Sequence, residues 1–262
     1  MRQAFTASRT SIRLIGKAIP GAEDRQRLIP GFDQESYSKA SVVCIGAGGI
    51  ISHIAPTLCR KGIGKLTLLD RDIVEASNLN RQRFYEPDIR KNKAICLARN
   101  LQRECIAKTE VVGHALYLEQ AIENGTALMC EVAICGVDNN PARVTASRHF
   151  RSKGVPVIFA AVSRDGDHGY VFIQETEGAC IGCLFPDMAD DDRFPCPGTP
   201  AITDILQAIG ALVVYATDTL IMARQRAWNY RRISLSDGQI DGTVEVHQRA
   251  DCRVERVICA NR

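Results

Sequence analysis

The chain has 262 residues, 45% of them apolar and 24% charged, with a formal net charge of +3. That is enough for one large domain or two small ones around a sizeable core, and so small an imbalance gives no ground for a nucleic-acid module. The eleven cysteines are odd in number and several sit inside apolar runs, as Cys44 and Cys135 do, which argues against a secreted disulfide scaffold and for a reduced, cytoplasmic protein with a metal or reactive-thiol site.

In chain order, residues 1–24 carry four basic residues and no acidic one before Glu23. They read as a basic N-terminal arm or helix, with a transit peptide as the alternative and no secretory signal. "ASVVCIGAGG" predicts a buried strand entering a Gly-rich turn, and "IISHIAPTLCRKG" a helix with Pro56 as a kink point. "GKLTLLD" is a second buried strand. "DIRKNKAICLARNLQREC" has helical periodicity, "TEVVGHAL" alternates like a strand, and "VAICGVD" is a short buried strand. "NPARVTASRHFRSKG" is a helix closed by Gly154, and "VPVIFAAV" is again a strand. This order predicts an α/β, Rossmann-like doubly wound sheet, mostly parallel, with helices on both faces.

After residue 163 the pattern changes. "HGYVFIQE" is a strand, and the stretch over about 178–200, rich in Cys, Pro, Gly and Asp, is a long crossover loop of a kind that is often functional. The apolar segment 201–223 is interrupted by Asp204, Gln207 and Asp218. It is a core or dimer helix rather than a membrane span. "RRISLSD" and "TVEVHQR" predict strands of an antiparallel C-terminal extension. With no linker and no repeat, residues 25–262 form one continuous domain.

The turn "GAGGIIS" offers Gly46 and Gly48 at the first two positions of a dinucleotide fingerprint, with Ile51 at the third. Asp70 ends the next strand, where a ribose-binding acid is expected. A nicotinamide enzyme would need no more. Here Arg81 and Lys93 add two fixed positive charges, which suit a triphosphate losing pyrophosphate from an attacked α-phosphate. Asp138 ends a strand at the ligand edge, where a carboxylate can hold Mg²⁺. For each of these residues alone, a surface charge or helix cap is the plain alternative.

The segments "GAGGI", "LLDRDIVEASNLNRQRF", "DIRKNKA" and "GVDNNPAR" together resemble the ThiF/MoeB/HesA family of ubiquitin-activating-enzyme-like adenylyltransferases, over about Arg25 to Cys252. "SNLNRQ" is the specific part. The resemblance implies ATP and Mg²⁺ bound by Gly46, Gly48, Gly49, Asp70, Asp72, Asn78, Arg81, Gln82, Lys93 and Asp138. Asp70 would hold the ribose and Asp138 the Mg²⁺. It implies a homodimer in which Arg25 reaches the partner's ATP. The substrate would be the C-terminal glycine carboxylate of a small ubiquitin-like or sulfur-carrier protein ending in Gly-Gly. Two departures stand out: Ile51 replaces a small residue and is expected to tighten the turn, and the Arg81–Lys93 stretch is one residue short, so its helix is expected to start differently.

The same resemblance gives the cysteines their roles. "CIGC" at 180–183 matches half of a structural zinc site, whose other half would be Cys252 and Cys259, with Glu255 where the fourth cysteine would stand. Cys196, between Pro195 and Pro197, sits where a relative's acyl- or sulfur-carrying cysteine lies. The acidic run Asp190–Asp192 disfavours its thiolate. The five histidines show no metal spacing and read as structural or surface residues. Trp228, Tyr230, Arg224 and Arg226 read as a helix end packed on the dimer or zinc region rather than a nucleic-acid patch. The alternatives kept open are an adenylyltransferase acting on a ribosomal peptide or tRNA, and a decayed scaffold subunit.

Overall fold

The computed structural model describes residues 10–190, 201–236 and 241–254. Its strands are β1 (Ser11–Ile15), β2 (Ser41–Ile45), β3 (Lys65–Leu69), β4 (Glu110–His114), β5 (Val132–Cys135), β6 (Val157–Val162), β7 (His168–Gln174), β8 (Tyr230–Ser234) and β9 (Gly242–Val244). The helices are α1 (Asp24–Arg27), α2 (Gln34–Lys39), α3 (Gly49–Arg60), α4 (Lys93–Leu101), α5 (Leu118–Glu123), α6 (Asn140–Ser152), α7 (Ile181–Leu184) and α8 (Thr203–Ile221).

All nine strands form one sheet in the order β1-β4-β3-β2-β5-β6-β7-β8-β9. The five central strands, β4 to β6 in that order, are parallel. β7, β8 and β9 continue the sheet antiparallel. β2 and β5 are buried almost throughout because helices cover both faces, which is why they read as unbroken apolar runs. Along β2, Val42 and Cys44 point to the layer of α3, α4 and α8, and Val43 and Ile45 to the layer of α5, α6 and α7. The alternation of successive side chains thus feeds two cores from one strand.

Two elements differ from the sequence reading. Residues 11–15 of the basic arm are a strand, paired antiparallel with β4 from Ser11 opposite His114 to Ile15 opposite Glu110. Ile12 and Leu14 turn inward while Arg13 bonds Glu110 at 2.9 Å. The helical period at "DIRKNKAICL" begins only at Lys93. The residues before it pair back on the acidic turn, with Val74 N donating to Lys91 O and Lys93 N to Asp72 O. Arg90, at φ +68°, makes the corner, and Asn92 starts the helix by accepting Ile95 N at 3.0 Å.

α8 is long and apolar enough to pass a membrane-span test. Its Ile205, Leu206, Ile209, Val213 and Ala216 lie in the core against α3, β6 and β7, so it is a core helix of the domain.

Candidate functional site

β2, β3 and β4 step one way across the sheet, and β5 returns to the other side of β2. The chain therefore switches direction between β2 and β5, and a crevice opens beyond the carboxyl ends of these strands. There the turn after β2 meets the turn after β5: a Cβ on Gly46 would lie 3.3 Å from Val137 Cγ1, and Gly46 takes φ +90°, which glycine adopts freely. Gly48 precedes α3, and no side chain caps that helix. Its first N–H groups are left for an anion.

A cleft of about 1480 Å³ lies over this point. Gly46, Gly48, Gly49, Asp70, Asp72, Asn78, Arg81, Gln82, Lys93 and Asp138 all line it. Arg25 does not; it is exposed on α1, outside the cleft of its own chain. Cys196 and Cys259 fall outside the described residues.

The two acids differ in kind. Asp70 is 8% exposed, and both its oxygens accept backbone N–H groups, Oδ2 from Ala47 at 2.7 Å and Oδ1 from Asp72 at 2.8 Å. Burial pushes its carboxyl up to about 6, with Lys93 pulling it down and Asp72 pushing it up. Asp72 is half exposed and meets Lys93 Nζ at 3.2 Å. Asn92 holds this corner together, its Nδ2 donating to Asp70 O at 2.8 Å and Asp72 O at 3.1 Å. Tyr117 closes the outer side: its hydroxyl donates to Asp72 Oδ1 at 3.5 Å, and the Arg71 guanidinium lies 5.5 Å from its ring centroid.

Asn78 caps its own 3-10 turn, accepting Glu75 N at 3.0 Å. Arg81 Nη1 donates to Ser77 O at 2.6 Å and Asn80 Oδ1 at 3.0 Å. Gln82 Oε1 is buried without a partner, and its Nε2 lies 3.9 Å from where a Gly48 Cβ would stand. The unmet atom is an acceptor, so a ligand group with a proton to donate would satisfy it. Asp138 is exposed on the turn after β5, just before Asn139, whose side chain caps α6 by accepting Ala142 N at 2.9 Å.

Ile51 does not tighten the phosphate-side turn. It is fully buried and lies outside the cleft lining, with Cγ1 2.8 Å from the point where a Cβ on Gly136 would sit. The bulk added on α3 is matched by a missing side chain on the turn after β5.

At the crossover end, Phe185 and Met188 also line the cleft, just past the CxxC stretch. Cys180, Cys183 and Cys252 are buried with their sulfurs within 4.8 Å of one another; Cys180 Sγ is 3.8 Å from that of Cys183 and 3.3 Å from that of Cys252. Arg151 Nη2 holds the loop before them through Glu175 O, Gly178 O and Ala179 O at 3.0–3.2 Å. Gln174 Oε1 accepts Ile181 N at 3.1 Å. Three preplaced sulfur donors suit a thiophilic cation such as Zn²⁺.

The model of the ThiF family matches residues 23–254. The chain belongs to the ThiF family. This bears out the sequence resemblance and its adenylyltransferase class, since the relatives carry that name. A sulfur carrier protein adenylyltransferase of Thermus thermophilus is 28% identical over 71% of this chain and 71% of its own. The sulfur carrier protein ThiS adenylyltransferase of Bacillus subtilis is 32% identical over 71% of this chain and 54% of its own. The adenylyltransferase and sulfurtransferase MOCS3 of Xenopus laevis is 29% identical over 83% and 49%. The ThiF-family chain thus spans about half the length of these last two. Among solved structures, E. coli MccB with ATP superposes with a TM-score of 0.71 at 20% identity, covering 90% of this chain and 74% of that one. PaaA gives 0.69 at 20% identity over 90% and 77%. At that identity they show the fold: a mixed, Rossmann-like α/β sheet.

Sequence reasoning missed Asn92, Tyr117 and Arg143. Asn92 had a readable signal, a capping residue ahead of an apolar period. Tyr117 reaches the cleft from a segment without a motif of its own, and Arg143, the last residue of "GVDNNPAR", reaches it although the sequence reading gave it no role.

Proposed function

We propose that this ThiF-family chain is an ATP-dependent activating enzyme that adenylates the C-terminal glycine carboxylate of a small ubiquitin-like or sulfur-carrier protein. The observation that carries the reading is the gathering of an uncapped helix start, two acids, Arg81, Lys93 and Asp138 in one cleft at the switch point. Relatives named for sulfur-carrier activation support the substrate class.

ATP is the co-substrate. The α3 N-terminus and the turn Gly46–Gly49 would take its phosphates, with the Gln82 amide Nε2 as a further donor to them. Asp70, which also fixes the turn, would hold the ribose, with the more open Asp72 beside it. Arg81 and Lys93 are positive charges for the leaving pyrophosphate. A carboxylate oxygen of the carrier attacks the α-phosphorus, the bond from that phosphorus to the bridging oxygen breaks, and pyrophosphate departs with its charge. Asp138 would hold Mg²⁺, which supplies charge neutralisation on the phosphates. Cys196 is assigned the next step: its thiolate attacks the acyl carbonyl, AMP leaves, and a thioester remains. Cys180, Cys183 and Cys252, with Cys259, would hold a structural zinc. Arg25, exposed and outside the lining of its own cleft, would reach the ATP of the partner in a homodimer. Free thiols at all nine described cysteines fit a cytoplasmic setting. The peptide-modifying alternative has only the fold likeness to MccB in its favour, and an intact cation set in the cleft argues against a decayed scaffold.

The test is ATP–pyrophosphate exchange with and without a candidate carrier ending in Gly-Gly. Carrier-dependent exchange is expected, and Asp138→Ala should lower it by roughly 100-fold or more. ATP binding with no exchange on any carrier would transfer the assignment to a peptide or RNA substrate.

A further inference from the structure

The strand-to-strand segment that carries Arg81 is not held by its own residues alone. Two consecutive side chains of α3 fasten it. Ser52, fully buried, accepts Arg83 N on Oγ at 3.2 Å and donates to Gly49 O at 3.0 Å. His53 Nε2 lies 3.1 Å from Arg81 O, and Arg83 Nε lies 3.4 Å from His53 Nδ1. A carbonyl can only accept and a guanidinium can only donate, so both neighbours demand the same state: a neutral imidazole with its proton on Nε2. Burial, and then the charge of Arg83 against the raising effect of the Arg81 carbonyl, set the balance that holds the pKa of His53 below its ordinary value.

We propose that His53 is a positioning residue for Arg81, fastening the "SNLNRQR" segment to the helix whose N-terminus faces the phosphate side of the cleft. This rests on the nucleotide-binding reading above. The arrangement ties the two cationic sources on that side, the helix start and Arg81, into one unit, so that they are presented together without a separate ordering cost. The histidine does not itself line the cleft; it acts through the backbone carbonyl of Arg81, which does.

The test is MgATP affinity by calorimetry on the full chain, for wild type, His53→Leu, His53→Gln, Arg81→Ala and the double variant His53→Leu/Arg81→Ala. Leucine removes both hydrogen bonds at similar bulk and is expected to weaken MgATP roughly tenfold. Glutamine, with one donor and one acceptor, should restore affinity to within about threefold of wild type. In the Arg81→Ala background, His53→Leu should cost nothing further, since its target is gone. An equal loss in both backgrounds, or a lower thermal midpoint with unchanged affinity, would reduce His53 to a structural residue and overturn the proposal. If His53→Leu folds poorly, the glutamine variant and the Arg81→Ala background still decide: tenfold weakening by glutamine counts against it. Failure of the wild type itself to bind MgATP would instead sink the nucleotide reading, and this inference with it.

Discussion

Asp70 is a buried acid whose two oxygens each accept one backbone N–H. A carboxylate has acceptors for both, but burial raises its pKa to about 6. The folded value lies above the unfolded value near 4, so protonation favours the folded state. The stabilising contribution is therefore fully present below about pH 4 and is lost as pH rises through about 6. Asp70→Asn, uncharged at every pH, has no such loss. The unfolding free energy of wild type relative to that variant should fall by roughly 2 kcal/mol between pH 4 and 7. Urea titrations at a series of pH values measure this, and a difference that stays flat with pH would refute the raised pKa. Asp70 was legible as the acid at a strand end. Its use was not, because Ala47 and Asp72 approach it only once the turns close.

The start of α3 shows how elements trade volume. Ile51 fits because Gly136 has no side chain. Gly136→Ala would place a methyl 2.8 Å from Ile51 Cγ1, an overpacking that costs about 1–3 kcal/mol. Ile51→Ala alone leaves a cavity and costs about 2–5 kcal/mol. Combined, each relieves the other, so the double variant should be more stable than the sum of the two losses predicts. Denaturant unfolding of the four proteins checks it, and additive losses would show that the two residues do not share the space. The expectation of a tightened turn failed here because a helix position three residues into the fingerprint faces the sheet, and its partner lies 85 residues later. α4 shows the reverse limit. Its apolar period was readable, but the ribbon of residues 72–74 against 90–93 sets its first residue.

Across the whole molecule, the thiol cluster joins α7 to the end of the described chain. Cys252 reaches Cys180 across 72 residues of sequence, and Val254 packs where a Cβ on Gly182 would clash, at 2.4 Å. If the cluster holds a structural zinc, metal analysis should find about one zinc per chain. Cys183→Ser should lower that content and the thermal midpoint by roughly 5–10 °C. A metal-free protein with an unchanged midpoint in the variant would leave three packed thiols and no metal site.

The sequence by itself determined the alternating strands and helices of the central sheet, and the ten residues that meet in the cleft. Both are written locally, the first as runs of buried side chains with period, the second as short motifs placed at strand ends where an α/β sheet exposes them. The family resemblance also named Cys180, Cys183 and Cys252 as partners, and the structure brings those three together. Only the tertiary structure decided that the N-terminal arm contributes an edge strand, that Ile51 is harmless and that His53 holds Arg81. Each of these depends on a partner far away in the chain: Ser11 meets His114, Ile51 meets Gly136, and His53 meets the carbonyl of a residue 28 positions on. A contact made across the fold leaves no periodic mark in either segment, so it becomes readable only when the chain has closed.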